Sequence, residues 1–169
     1  MSLHPLNDID AYEAKNKQKP SEILMKAMGF SENDLAANHI GIMSNRQRFD
    51  FYNRRNIWAM AGIVCMLGFF MLWIGGRDQS LPLLLFGIGI VVCGLNVYSR
   101  HIDAARGEVA VLEGRINLNI NGRNFSVVID DRKFALKQKV FLAFKNGDPY
   151  RVYYTPHTKK LLSAEWLRD

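Results

Sequence analysis

Three kinds of hydrophobic spacing follow one another along the chain, and the longest stretches are apolar without a break. The runs 57–74 and 81–98 are each eighteen residues without a charge, joined by the polar segment GGRDQS. At 1.5 Å per helical residue each run spans roughly 27 Å, close to the thickness of a bilayer's hydrocarbon core. A helix buried in a soluble protein usually keeps polar side chains on the face turned away from the densest packing. Here the only clearly polar side chain in either run is Asn96. The pair predicts a transmembrane helical hairpin over 57–98. More than fifty residues precede the first run, so a cleaved signal peptide is not expected.

Before the first run, apolar positions recur at helical spacing between capping signals. Residues 1–19 are polar and of mixed charge, with too little apolar surface to offset ordering entropy, which predicts a flexible arm. Residues 20–56 read as a helical head leading into the first run. Ser21 caps a short helix through Met28 that Gly29 stops, and Ser31 with Asp34 resembles a capping box for a second helix through His39, which Gly41 ends. Ser44 with Gln47 is a third box, and Phe49 and Tyr52 carry its helix into the first run. Leu24, Met25, Met28, Phe30, Leu35, Ile40 and Met43 supply a small apolar contact, too little for an independent core. Three such helices also describe a helix-turn-helix. The second is acidic at its start and the third is tied to the membrane, so a docking platform is expected here and not a DNA reader.

After the second run the spacing changes to strict alternation. SRHIDAARGE continues the helix briefly before Gly107, and then VAVLEG, RINLNI, RNFSVVI, KFAL, KVFLAF and PYRVYY read as short strands. Asn121-Gly122 sets Ile116, Leu118 and Ile120 against Phe125, Val127 and Ile129 in a hairpin. Asp130-Asp131 marks the next turn, and across KNGD the residues Val140, Leu142 and Phe144 alternate against Tyr150, Val152 and Tyr154. Short strands with a turn every eight to twelve residues predict a small antiparallel β-barrel of OB or SH3 type over 107–169. The fold class is therefore an α+β membrane protein. The stretch YRVYYTPHTKKLLSAE has two readings. One is a rim of Tyr153, His157, Lys159 and Lys160 that contacts a partner or phosphate headgroups. The other is a last strand, a turn and a closing strand with Leu161 and Leu162 filling the barrel.

Charge sets the orientation. Arg46, Arg48, Arg54 and Arg55 precede the first span and Arg100 and Arg106 follow the second, while the connecting segment has Arg77 beside Asp78. The positive-inside rule then places both termini in the cytoplasm. Trp58, Trp73 and Tyr98 fall at the span ends, where amphipathic rings prefer the headgroup level. Ala61, Cys65 and Gly68 share a face of the first helix and Gly87 and Gly94 a face of the second, which suits close helix packing. The net charge of +6 comes mostly from the tail and the basic collar; beside a membrane it is expected to meet anionic headgroups and not nucleic acid. Cys65 and Cys93 both lie inside the spans and read as small apolar side chains.

Chemistry is sparse. The four histidines, His4, His39, His101 and His157, lack metal-site spacing, and no CxxC, HExxH, GxGxxG or Walker pattern occurs. No catalytic, cofactor-binding or metal residue is assigned. The motifs DLAANHIGIMSNRQ in the head and YRVYYTPHTKKLLSAE in the tail resemble those of small bacterial membrane proteins with two spans and a cytoplasmic β domain. That resemblance implies a bacterial inner-membrane location and no activity. The expected function is that of a non-catalytic, membrane-anchored interaction or scaffold protein, an accessory subunit of a larger membrane assembly or a self-associating one. The alternatives are a homo-oligomeric small pore and a tethered sensor that binds a ligand through the β domain.

Overall fold

The computed structural model describes residues 20–75 and 80–167. The expected arm, and Arg77 and Asp78 of the connecting segment, lie outside the described residues. The chain forms two compact units. One holds the described residues up to Ala36, Ala110–Tyr154 and the chain from Lys160; the other holds Ala37–Val109 and Thr155–Lys159.

The second and third head helices start at their capping boxes, whereas the first begins at Pro20, so Ser21 lies inside it and is not its cap. Helix α1 is Pro20–Met28 and ends at Gly29, whose φ of +77° suits a residue without Cβ and whose N–H donates to the Met25 carbonyl at 2.7 Å. Helix α2 is Glu32–His39. Its box is complete: the Ser31 N–H donates to Asp34 Oδ2 at 2.8 Å and the Asp34 N–H to Ser31 Oγ at 3.3 Å.

Helix α3, Asn45–Ile74, runs for 30 residues from the Ser44–Gln47 box, in which the Gln47 N–H donates to Ser44 Oγ at 3.2 Å and the Ser44 N–H to Gln47 Oε1 at 3.1 Å. Its inward residues near the start are Gln47 and Phe51, one turn apart, whereas the expected Phe49 is 69% exposed. Ile40 is likewise exposed and not part of an apolar contact. Helix α4 is Ser80–Arg106, 27 residues, ended by Gly107 at φ +64°. The segments flanking the two helices are tied together: the Met43 N–H donates to the Gly107 carbonyl at 2.8 Å and the Val109 N–H to the Gly41 carbonyl at 2.9 Å, around an Ile42–Glu108 bridge.

Between α3 and α4, small residues meet larger ones. A Cβ on Gly62 would stand 3.3 Å from Cys93 Cβ, one on Gly89 3.2 Å from Cys65 Sγ, and one on Gly68 2.6 Å from the Phe86 ring. The free cysteines thus act as the small apolar packers that their positions suggested. Asn96 turns its amide onto the Val92 carbonyl of its own helix at 2.9 Å.

The remaining elements belong to the sheet unit: β1 Ala110–Arg115, β2 Asn117–Asn121, β3 Asn124–Ile129, β4 Arg132–Leu136, α5 Gln138–Phe141, β5 Pro149–Tyr154 and β6 Leu161–Trp166. They make two three-stranded antiparallel sheets, ordered β1-β5-β6 and β2-β3-β4, and no closed barrel. KVFLAF is the reason. It is helical and not a strand: Val140, Phe141 and Phe144 turn inward at helical spacing while Leu142 is 72% exposed. The partners of β5 are β1 and β6 instead, so β4 and β6 each remain an edge.

Asn146-Gly147 accordingly closes no hairpin. It docks on the passage from β1 to β2, where the Gly147 N–H donates to the Ile116 carbonyl at 2.7 Å and the Leu118 N–H to Asn146 Oδ1 at 2.8 Å. The β2–β3 hairpin keeps the expected pairs Leu118–Val127 and Ile120–Phe125. Its loop is Gly122-Arg123, with glycine at the first position and φ +59°, as in a type II′ turn. The β3–β4 loop, Asp130-Asp131, has both residues at positive φ, the requirement of a type I′ turn. Leu24 and Phe30 join Val127, Ile129, Phe134 and Val152 in the core, so the head contributes to this unit's interior, where α1 packs on β6.

Candidate functional site

In the helical unit, apolar side chains face outward all round α3 and α4. Met60, Ile63, Val64, Leu67, Phe70 and Met71 on one helix and Leu84, Leu85, Ile88, Val91 and Leu95 on the other are exposed, and both helices are long and apolar enough to cross a membrane. The residues assigned to helix packing divide into two sets. Cys65 and Gly68 face the partner helix with Ala61 half-buried, whereas a Cβ on Gly87 or Gly94 would meet nothing among the described residues. Gly87 instead floors an open groove of about 660 Å³, walled by Phe69, Leu83, Leu84, Ile88 and Val91.

Basic residues cluster at the end of the helix pair where α3 begins and α4 finishes, and each has a different setting. Arg54 Nε lies 3.2 Å from Asp50 Oδ2. Arg55 donates to Asn56 Oδ1, stacks its guanidinium 4.9 Å from the centre of the Tyr52 ring, and has Nη1 3.3 Å from His101 Nδ1. The Arg48 guanidinium lies directly over Gly107, leaving no room for a Cβ there. Arg100 is half-buried, and its Nε, like that of Arg48, meets no acceptor among the described residues. Arg46 is exposed. At the span ends Trp73 and Tyr98 are exposed and Trp58 half-buried.

Sequence reasoning passed over Asp103. It is 1% exposed, one turn before the end of α4, and its two carboxylate oxygens accept the backbone N–H groups of His157 at 3.1 Å and Thr158 at 2.8 Å. A charged acceptor thereby fixes the Thr155–Lys159 segment within the helical unit. An acidic residue alone in SRHIDAAR was its one signal.

Of the residues assigned to a rim, Tyr153 is buried and not outward-facing, His157 and Lys159 are exposed, and Lys160 is half-buried. The strand, turn and strand of the other reading are observed, since β6 pairs with β5, but β6 is an edge and closes no barrel. Strand pairing builds a polar ladder there. Arg151 on β5 bonds Glu113 on β1 through Nε at 2.5 Å and Glu165 on β6 through Nη1 at 2.9 Å, and Tyr153 Oη donates to the same Glu165 oxygen at 3.0 Å. The Glu113 bond leads in holding the guanidinium more firmly protonated than usual. Burial first, and the Glu165 bond next, push the Tyr153 phenol up to about 12. Burial also raises Tyr150, whose hydroxyl accepts the Lys145 N–H at 3.2 Å. Because β1 and β5 lie far apart in sequence, no local pattern announces this ladder.

Among the described residues no group of three or more His, Cys, Asp or Glu side chains is placed to hold a metal ion. Compared with protein-family models, with curated proteins and with solved structures, the chain gives no match to any of the three.

Proposed function

We propose that the protein is a non-catalytic, membrane-anchored interaction subunit. In this reading α3 and α4 cross the bacterial inner membrane as a hairpin, both termini are cytoplasmic, and the chain docks on other membrane-protein subunits. The observation that carries it is the outer face of α4. The glycines that serve the hairpin are filled by Cys65, Phe86 and Cys93, yet Gly94 and Gly87 stay open, Gly87 lining an apolar groove. In lipid, helices associate by close packing at such small-residue faces. A face left over after the hairpin has closed suits a further helix.

The test is extraction of the tagged full-length protein in mild detergent, with native mass and identification of what accompanies it. Defined membrane subunits in fixed ratio support the proposal, and Gly87→Leu should remove them while leaving the hairpin formed. A homo-oligomer that Gly87→Leu dissociates would replace it with the self-associating reading. A monomer with no partner would refute both.

A further inference from the structure

We propose that the sheet unit docks on an anionic lipid surface through the β2–β3 loop end of its β2-β3-β4 sheet. Ile120 and Leu142 enter the headgroup region there, and Arg123, Lys137 and Lys139 meet the phosphates. The inference rests on the membrane reading of α3 and α4 and goes beyond it, because it concerns the water-facing unit. Antiparallel register puts Ile120, Phe125 and Leu136 in one row across the three strands, next to the loop. The following row, Leu118, Val127 and Phe134, runs into the core, where Val127 and Phe134 are buried. Phe125 is half-buried against the Phe141 ring of α5, with centres 5.1 Å apart. The margins stay open: Ile120 is 60% exposed, and Leu142, beside Phe141 in the chain, is 72% exposed. Exposed apolar groups rimmed by charge mark an interaction surface.

Charge selects the occupant. Residues 115–147 hold seven Lys and Arg and two Asp, a net +5 of the chain's +6. Both acids, Asp130 and Asp131, form the β3–β4 loop at the opposite end of that sheet. Arg123 lies in the β2–β3 loop, Lys137 follows Leu136 directly, and Lys139 belongs to α5. All three are exposed, and none has an ion pair among the described residues. Such a surface attracts phosphates. Binding a single-stranded polynucleotide would want aromatic rings free to stack on bases, but Phe125 and Phe141 are already against each other and the open side chains are aliphatic. Aliphatic groups beside cations suit the boundary between headgroups and acyl chains. Connectivity supplies the bilayer: only residues 107–109 separate α4 from β1, so Arg106 and Ala110 lie at most about 14 Å apart. A membrane-spanning α4 therefore keeps the sheet unit beside its own lipid surface.

The experiment reconstitutes the full chain into vesicles of phosphatidylcholine alone or mixed with phosphatidylglycerol, checks insertion by resistance to carbonate, and follows amide exchange by mass spectrometry. In the mixture the wild type should exchange more slowly over residues 120–124 and 137–142 than in phosphatidylcholine alone, with the Asp130-Asp131 loop unchanged. Salt at about 1 M, where the screening length is about 3 Å, should remove the difference. Arg123→Gln should weaken docking about fivefold, the share of one charge near such a surface, and Ile120→Ser about tenfold. Lys133→Gln takes the same charge from nearer the other end of the sheet and should leave docking unchanged; a loss equal to that of Arg123→Gln would reduce it to diffuse attraction and overturn the site. Protection that requires an added oligonucleotide would overturn lipid as the occupant. A wild type that inserts but exchanges equally in both lipids defeats this inference alone, and one that fails to insert defeats the membrane reading with it.

Discussion

The two units of this chain differ in what covers their outside. In the sheet unit Val127, Ile129, Phe134, Val152 and Ala164 are buried, and Arg132, Lys133 and Asp131 face outward. In the helical unit Asn38, Gln47, Asp103 and Thr155 are buried, and leucines, valines and phenylalanines cover the outside of α3 and α4. Burial follows the solvent: apolar surface withdraws from water but gains nothing by withdrawing from hydrocarbon. The same residue types therefore carry different meanings in the two units of one short chain. The proposed bilayer accounts for the difference without any special property of the helices.

The comparison breaks most visibly with paired truncations. Phe134→Ala empties a site 2% exposed, edge-to-face against Tyr154 at 5.1 Å, and should cost about 3–5 kcal/mol of the sheet unit's stability. Phe70→Ala removes the same side chain from a position 52% exposed and should cost less than about 0.5 kcal/mol. Denaturant titration in detergent, followed by near-ultraviolet dichroism, separates the two. Equal losses would mean that α3 is covered by protein and not by lipid.

A charge on the outer face is the next largest effect. Leu67 is 61% exposed near the middle of the apolar run, where a water-facing position would accept arginine at no cost. In a bilayer Leu67→Arg should cost about 2.5–3.5 kcal/mol of insertion. The carbonate-resistant fraction reports it, and an unchanged fraction would sink the membrane reading of α3. Smaller again is Asp103→Ala, which strips the acceptor from two backbone donors and should cost about 1–3 kcal/mol. Faster amide exchange at His157 and Thr158, with exchange in the sheet unit unchanged, would place the loss where the hydrogen bonds are.

Local signals carried much of the fold. Two capping boxes, two apolar runs and the Asp130-Asp131 turn are written within four residues or as uninterrupted composition, and helices or turns stand at each. KVFLAF misled because its apolar residues fit either period; only the exposure of Leu142 beside buried Phe141 decides for the helix. The outward glycines, the Asp103 clamp and the Arg151 ladder depend on which distant segments meet, information that pattern along the chain does not hold. Tyr153 illustrates the cost of that gap. Alternation places it opposite Val152, but β6 and the ladder bury both faces of β5.

That buried tyrosine supplies the smallest test of the contrast, because its hydroxyl is a polar group inside the sheet unit. Its phenol is raised to about 12 by burial and by donation to Glu165, against an ordinary value of about 10. A raised folded-state value favours the protonated form, so the stability it contributes is whole below about pH 10, falls as pH rises and is gone above about pH 12. Tyr153→Phe keeps the ring and removes the hydroxyl, which should lower stability by about 1 kcal/mol near neutrality and flatten the alkaline decline. Tyr150 is also raised by burial and stays in both proteins, so the difference between wild type and variant isolates Tyr153. Denaturation midpoints at about pH 9 and about pH 11 should converge, with the wild type losing its advantage at the higher value. A gap that stays constant across that range would mean the hydroxyl ionises as freely in the folded sheet as in the unfolded chain, and that water reaches a side chain only 1% exposed.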